Sequence, residues 1–318
     1  MIEVGSHHAA DIAPTAIERL GATEEPFFMS VGFFETHRTY RVPTSVRDTL
    51  YSLPPANLPD TPETRADMAA FKASARSLDQ GIGAVLNGLH QTGLQDSTLV
   101  ICTTDHGLAF PGAKATLFDR GIGVMLIMRG PGGFLGGRVF DGLVSHLDIY
   151  PTLCELAGIE EPPWLQGTSL MPLVRGETDS VNDVLFAEMT YHAAYQPLRA
   201  VRSERFKYIR RFGDYDRPVL ANCDDSASKA ILAEAGWGDQ RVPEEQLYDL
   251  LFDPNELNDL SAEPSHEATL MEMRERLLEW MRATEDPLLD GPVPEPPGAW
   301  SNDPAQASPN DPTSAAER

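Results

Sequence analysis

Ser97-Thr98-Leu99-Val100-Ile101-Cys102-Thr103-Thr104-Asp105-His106-Gly107 decides the fold class of this 318-residue chain. Thr98 to Thr103 is an apolar and β-branched run of strand length, the pattern of a strand buried on both faces, and Thr104 to Gly107 is the polar turn that ends it. Two further runs have the same character. Upstream, Phe27, Phe28, Met29, Val31 and Phe33 mark Phe27 to Phe33 as a buried strand, with Glu35-Thr36-His37 just past its end; downstream, Gly123 to Met128 reads as a third strand. Between the first two, the proline-rich segment from Pro43 to Pro59 disfavours helix and central strand, because each proline lacks a backbone donor. Thr61-Pro62-Glu63 then signals a helix start, and Met68, Phe71, Ala75, Leu78, Ile82, Val85 and Leu89 recur at spacings of three and four up to the stop at Gly93. Gly81 and Gly83 lower the propensity of this helix, which is expected to lie on the sheet. Strands alternating with helices indicate an α/β fold.

Farther out, Asp11 is placed to cap a short helix running to about Leu20, and Asp148 to cap one through Ala157 that Gly158 closes. His146 reads as a packed loop residue. From about Glu177 the pattern changes to short alternating segments, Val184 to Tyr191, Leu198 to Arg202 and Phe206 to Arg210, which predict an antiparallel sheet. Met271, Met273, Leu277, Leu278 and Trp280 mark a helix able to cover it. Beyond Pro287 the chain is rich in Pro, Ser, Asn and Asp, so a disordered tail is expected. The organisation read from these changes is an α/β domain over 1–176, a small α+β domain over 177–290 and a tail over 291–318.

Asp and Glu number 48 against 25 Lys and Arg, a formal charge of −23 that excludes a nucleic-acid partner, since phosphate binding needs a basic footprint. No apolar stretch approaches the roughly 20 residues that span a bilayer. The first eight residues show no basic stretch followed by an apolar run, so localisation is left open. Cys102, Cys154 and Cys223 form no Cys-x-x-Cys spacing and read as buried thiols.

Ligands of open parallel sheets gather at the carboxyl ends of strands, which is where His37 and the Asp105-His106 pair fall. Taken singly, each also fits an ordinary loop histidine or turn. Lys114 lies nine positions after Asp105, one of only four lysines (Lys72, Lys114, Lys207, Lys229), in a loop of Gly and Pro that can fold back over the strand end. Its compact ammonium suits an oxyanion, and a solvated lysine is the bland alternative.

Five blocks in order carry a resemblance. Phe33-Phe34-Glu35-Thr36-His37-Arg38, the stretch Ser97 to Gly107, and Asp148-Ile149-Tyr150-Pro151-Thr152-Leu153-Cys154-Glu155-Leu156-Ala157-Gly158-Ile159 are followed by Gln166-Gly167-Thr168-Ser169-Leu170-Met171-Pro172-Leu173. Arg199-Ala200-Val201-Arg202 with Phe206-Lys207-Tyr208-Ile209 comes next, and Leu247-Tyr248-Asp249-Leu250, Asp253-Pro254 and Asn258-Asp259-Leu260 extend the match. Together they resemble the type I sulfatases of the alkaline phosphatase superfamily, nearest to heparan N-sulfatase-like and arylsulfatase-like members. The resemblance implies a mixed sheet flanked by helices with a small C-terminal antiparallel-sheet domain, and hydrolysis of sulfate esters or N-sulfates of small molecules or carbohydrates. It implies Asp105 and His106 as ligands of a divalent metal, Ca2+ or Mn2+. His37 would bind the sulfate and protonate the leaving group, and Lys114 would bind the sulfate and stabilise the charge that develops on it. An imidazole at His106, where many relatives carry Asn, shifts metal preference toward manganese and keeps phosphonate or phosphate ester hydrolysis as an alternative.

The family's nucleophile is a formylglycine made from Cys in a Cys-x-Pro-Ser-Arg type motif. Here the three cysteines are followed by Thr-Thr, Glu-Leu and Asp-Asp, and no acidic pair on a strand or Gly-Lys-x-His segment precedes Phe27. Asp224-Asp225 follows no strand and is no substitute for that pair. The chain is therefore expected to match the later part of such an enzyme, its N-terminal third supplied elsewhere if at all, and to lack turnover alone; a non-catalytic remnant is the remaining alternative.

Overall fold

The computed structural model describes residue 6 and residues 8–313. Its contacts divide into two units, one built from residues up to Cys102 with Leu126–Leu135 and Ser226–Ser228, the other from Thr103–Met125, Gly136–Asp225 and Lys229 onward. The expected boundary at 176 falls inside the second unit.

In the first unit, α1 (Ala9–Gly21) and α3 (Pro62–Gln91) pack together, with the short α2 (Val46–Leu50) beside α3. The start of α3 follows from its sequence: Thr61 accepts from the Thr64 N–H, Thr64 Oγ1 accepts from the Thr61 N–H, and Pro62 occupies the first turn, where no donor is needed. The observed partner of α3 is α1 rather than a sheet. The glycines of α3 account for this. A Cβ at Gly81 would collide with Ala9, and one at Gly88 would sit 2.7 Å from Ile17 Cγ1, so residues that weaken the helix in isolation are what let the two helices approach. Gly83 has no such neighbour. Asp11 lies in the first turn of α1, and it is Glu35 whose carboxylate accepts the Ala9 N–H. β1 (Val100–Thr103) and β2 (Leu126–Arg129) form a two-stranded sheet, close to two of the three expected strands. The third, Phe27 to Phe33, is not a strand: no described strand pairs with it, and Phe28 is 88% exposed. Apolar residues of strand length become a strand only when a neighbour takes up their backbone groups.

The second unit is organised by an antiparallel sheet in the order β3 (Val184–Tyr191), β4 (Tyr195–Ser203), β5 (Phe206–Arg211), β6 (Glu245–Asp249). Register places Val201 opposite Tyr208 and Tyr208 opposite Leu247. These three residues face α8 (Glu267–Ala283) and form a core with its Leu270, Met273, Leu277 and Met281. The opposite face, carrying Leu198, Ala200, Ile209 and Tyr248, is covered by Leu117, Phe118 and Ile122 from the loop and short helix α4 (Asp119–Ile122). α5 (Ile149–Ala157) ends at Gly158 in the left-handed conformation, φ 64°. Asp148 is buried before it, accepting from the N–H groups of Ser145 and Thr168 and from Asn182 Nδ2, each at 2.8 Å. α6 (Met171–Arg175) follows, and α7 (Ala227–Glu234) was not anticipated.

The tail expectation is corrected over 291–313. The Asn302 N–H donates to the Ala193 carbonyl at 2.8 Å, and Asn302 is 2% exposed. Its composition, too polar for an apolar core, is instead satisfied by turns: Asn302 Nδ2 donates to Gln306 Oε1 and to the Asp311 carbonyl. Residues 314–318 lie outside the described residues. Among the described residues, no helix is long and apolar enough to cross a membrane.

Candidate functional site

Asp105, His106 and Lys114 line one cavity of about 310 Å³ in the second unit, together with Glu188, Tyr191 and His192. Two features bring the first three together. Gly107 donates to the Gly121 carbonyl at 2.8 Å, and a Cβ there would strike the Arg120 carbonyl, so only glycine lets the chain close on itself just after Asp105-His106. The following loop then turns back, with the Lys114 N–H donating to the Leu108 carbonyl at 2.9 Å, while buried Phe110, Ala113 and Leu117 anchor it in the interior. The far end of this loop is held by ions. Lys207, fully buried on β5, donates to the Leu117 carbonyl at 3.1 Å and pairs with Asp119 and with Glu256 at 2.9 Å. Burial opposes ionisation of Asp119, but Lys207 and Arg202 hold its carboxyl below the ordinary value, whereas burial of Glu256 wins and raises its own.

Polarity is divided across the cavity. The Lys114 side chain is 10% exposed and its Nζ lies 3.1 Å from Asp224 Oδ2, so its charge is desolvated but balanced. The Asp105 side chain is 86% exposed. His106 Nδ1 lies 2.8 Å from the Gly107 carbonyl, and because a carbonyl only accepts, Nδ1 carries a proton and Nε2, 3.6 Å from Asp105 Oδ2, is left as the free donor atom toward a ligand. His192 also lines the cavity; desolvation lowers its pKa, the Lys114 ammonium and His106 lower it further, and Asp224 opposes them.

His37 belongs to the first unit and is not among the residues lining this cavity. It is exposed, its Nδ1 lies 2.6 Å from the Arg38 carbonyl and its ring centroid 5.4 Å from that of Phe34. Neighbouring Arg38 makes a bidentate pair with Asp67 of α3, both contacts 2.8 Å. Sequence reasoning missed Asp224 and His192. His192 follows β3, a strand of an antiparallel sheet, where the rule for carboxyl ends of parallel strands gives no signal. Asp224, 110 positions from Lys114, has no local signal. His146, expected in a loop, instead opens a 3-10 turn (His146–Asp148), with Nε2 2.7 Å from Thr103 Oγ1.

The family model described as Sulfatase matches residues 2–159, and that described as N-sulphoglucosamine sulphohydrolase, C-terminal, matches residues 107–228. The chain belongs to the sulfatase family. It is similar to an Ulvan-active sulfatase of Formosa agariphila, 29% identical over 262 residues, covering 78% of this chain and 43% of that protein. It is similar to N-sulphoglucosamine sulphohydrolase of Homo sapiens, 28% identical over 318 residues, covering 85% of this chain and 63% of the relative. The chain thus spans less than two thirds of the length of these two curated relatives. Among solved structures, a 2-O GAG sulfatase superposes with a TM-score of 0.66 at 23% identity, over 92% of this chain and 70% of that one. The fold is that of the sulfatases, α/β with a small C-terminal antiparallel sheet.

Two groups that the sulfatase family implies can be set against these residues. For a divalent metal, Asp105 Oδ2 and His106 Nε2 are two donors 3.6 Å apart, and the Nδ1 bond to Gly107 is the kind of outer contact that orients a ligating imidazole. Among the described residues no cluster of three or more His, Cys, Asp or Glu could hold a metal, so this donor set fits a cation only as part of a larger one. A formylglycine does not fit. Cys154 and Cys223 are buried, burial pushes the half-buried Cys102 thiol up, and none of the three lies in the precursor motif.

Proposed function

We propose that these residues form the sulfate-holding part of a sulfatase centre acting on sulfate esters or N-sulfates of carbohydrates or small molecules. The observation that carries this reading is the desolvated, counterion-balanced Lys114 ammonium sharing one cavity with Asp105 and His106. Lys114 would neutralise the bound sulfate and the charge that grows on its bridging atom as the bond from sulfur to oxygen or nitrogen breaks. Asp105 and His106 would hold a divalent cation, which supplies Lewis acidity toward a sulfate oxygen; the imidazole favours Mn2+ over Ca2+. His37 belongs to the other unit and does not line this cavity, so no step here is assigned to it. The attacking oxygen is not supplied by any of the three cysteines, so no step of attack is assigned to these residues.

The carbohydrate preference is supported by the names of the two curated relatives. Calorimetric titration of the 318-residue chain with sulfate, with and without Mn2+ or Ca2+, is expected to show one site whose affinity falls roughly tenfold or more in Lys114→Ala, the size of a lost charged hydrogen bond. Release of sulfate from an aryl sulfate by the chain alone is expected to be absent. Turnover by the chain alone would overturn the reading that this chain supplies no attacking oxygen, and sulfate binding unaffected by Lys114→Ala would overturn the site itself. Methylphosphonate binding more tightly than sulfate would favour phosphonate or phosphate esters, the reading that His106 also accommodates.

A further inference from the structure

The C-terminal segment bonds to Tyr191 of the cavity lining and to residues adjoining His192 and Asp224. On one side, Asn302 bridges to Ala194 and donates its N–H to the Ala193 carbonyl, directly beside His192 in the turn between β3 and β4. The same turn is gripped from behind by buried Asn222, which accepts the Ala194 N–H at 2.7 Å and donates to Gln196 Oε1 at 2.9 Å. Val293 adds two contacts at the base of the hairpin, accepting from the Tyr191 hydroxyl at 2.9 Å and donating to the Tyr195 hydroxyl at 3.1 Å. On the other side, Ser308 Oγ at 2.5 Å and Asn310 Nδ2 at 3.2 Å both donate to Asp225 Oδ2, next to the Asp224 that pairs with Lys114. Lys229 fixes this acidic turn from within, donating to the Cys223 carbonyl at 2.7 Å and to Asp225 Oδ1 at 2.8 Å.

We infer that residues 293–311 are a strap that positions the anion cavity, holding His192 through Asn302 and holding the Asp224 partner of Lys114 through Ser308 and Asn310. The strap has the properties such a role needs. It is closed on itself by Asn302 and Gln306, and its packing against the core of β3 to β6 with α8 comes from the partly buried Val293. Hydrogen bonds made by a segment with little apolar burial of its own set local opening more than global stability. Asn302, Ser308 and Asn310 are positioning residues, acting through His192 and Lys114.

The test uses the full chain in three variants, Asn302→Ala, the pair Ser308→Ala with Asn310→Ala, and Trp300→Ala as a control on an exposed tail side chain, 63% accessible. Amide hydrogen exchange over 191–196 and the acylation rate of Lys114 are read alongside the melting temperature. Asn302→Ala is expected to speed exchange over 191–196 roughly tenfold, and the Ser308/Asn310 pair to speed Lys114 acylation by a similar factor, each with little change in melting temperature. Ser308→Thr, which keeps the hydroxyl, is expected to retain the wild-type rate, and Trp300→Ala to alter neither readout. Unchanged exchange and acylation in the first two variants would overturn the strap, as would loosening spread evenly over β3 to β6 or shared by Trp300→Ala. These readouts need no ligand, so a chain that fails to bind sulfate would defeat the proposed function and leave the strap standing.

Discussion

Tyr208 on the four-stranded sheet is fully buried, while Phe28, in a segment just as apolar, is 88% exposed. The two regions differ in partners rather than in composition. β3, β4 and β5 are consecutive antiparallel strands, each donating to the next across a short turn, and α8 arrives to cover Val201, Tyr208 and Leu247. Phe27 to Phe33 has no neighbouring strand among those described, so its side chains alternate into partial burial without a ladder. An antiparallel meander can be completed from nearby sequence, and a parallel strand depends on chain that comes from far away.

The strongest way to break this contrast is Lys207→Met. It leaves Asp119 and Glu256 facing each other without their shared cation, and a loss of about 3–5 kcal/mol is expected by chemical denaturation. A loss below that of a surface substitution would show that the ion cluster does not tie the Lys114 loop to the sheet. Next comes a matched pair of truncations. Leu277→Ala in the sheet core should cost about 2–5 kcal/mol, and Phe28→Ala in the unpaired segment less than about 0.5 kcal/mol. Equal costs would mean that Phe28 is packed after all.

A pair of opposite sign sharpens the reading of α3. Gly88→Ala pushes a methyl group against Ile17 and should cost about 1–3 kcal/mol despite better helix propensity, whereas Gly83→Ala meets nothing and should gain about 0.5–1 kcal/mol. Thermal melts of the two variants moving in the same direction would refute close approach as the reason for Gly88. The smallest effect is in acid. Arg274 holds the Glu245 carboxyl below its ordinary value, and Lys207 with Arg202 does the same for Asp119 against the opposing effect of burial. Both native pKa values lie below the unfolded ones, so the stabilisation is present above the ordinary carboxylate range and is lost between about pH 5 and pH 2. Glu256, raised by burial, works in the opposite sense, favouring the native state slightly as pH falls. Melting temperature against pH should therefore fall less steeply in Arg274→Gln than in the wild type.

Period and punctuation made much of this molecule legible before any coordinates. The start of α3 at Thr61-Pro62, the end of α5 at Gly158, the strands β3 to β5 and the covering helix α8 all follow from residues within a few positions of each other. The tail misled for a physical reason, since low apolar content argues against a core but not against a hydrogen-bonded strap built from Asn, Gln, Ser and Asp. Gly81 and Gly88 misled similarly, because propensity measures a helix alone and these helices meet.

At the site, the sequence by itself determined the chemical types: a carboxylate and imidazole at a strand end, an ammonium nine positions on in a loop able to return, and three cysteines in no nucleophile motif. Only the tertiary structure decided that Lys114 is balanced by Asp224, that His192 stands at the same cavity, and that His37 belongs to the other unit. Side-chain type and local period are written in neighbouring residues, whereas charge pairing and burial depend on which distant segments the folded backbone brings within a few ångströms.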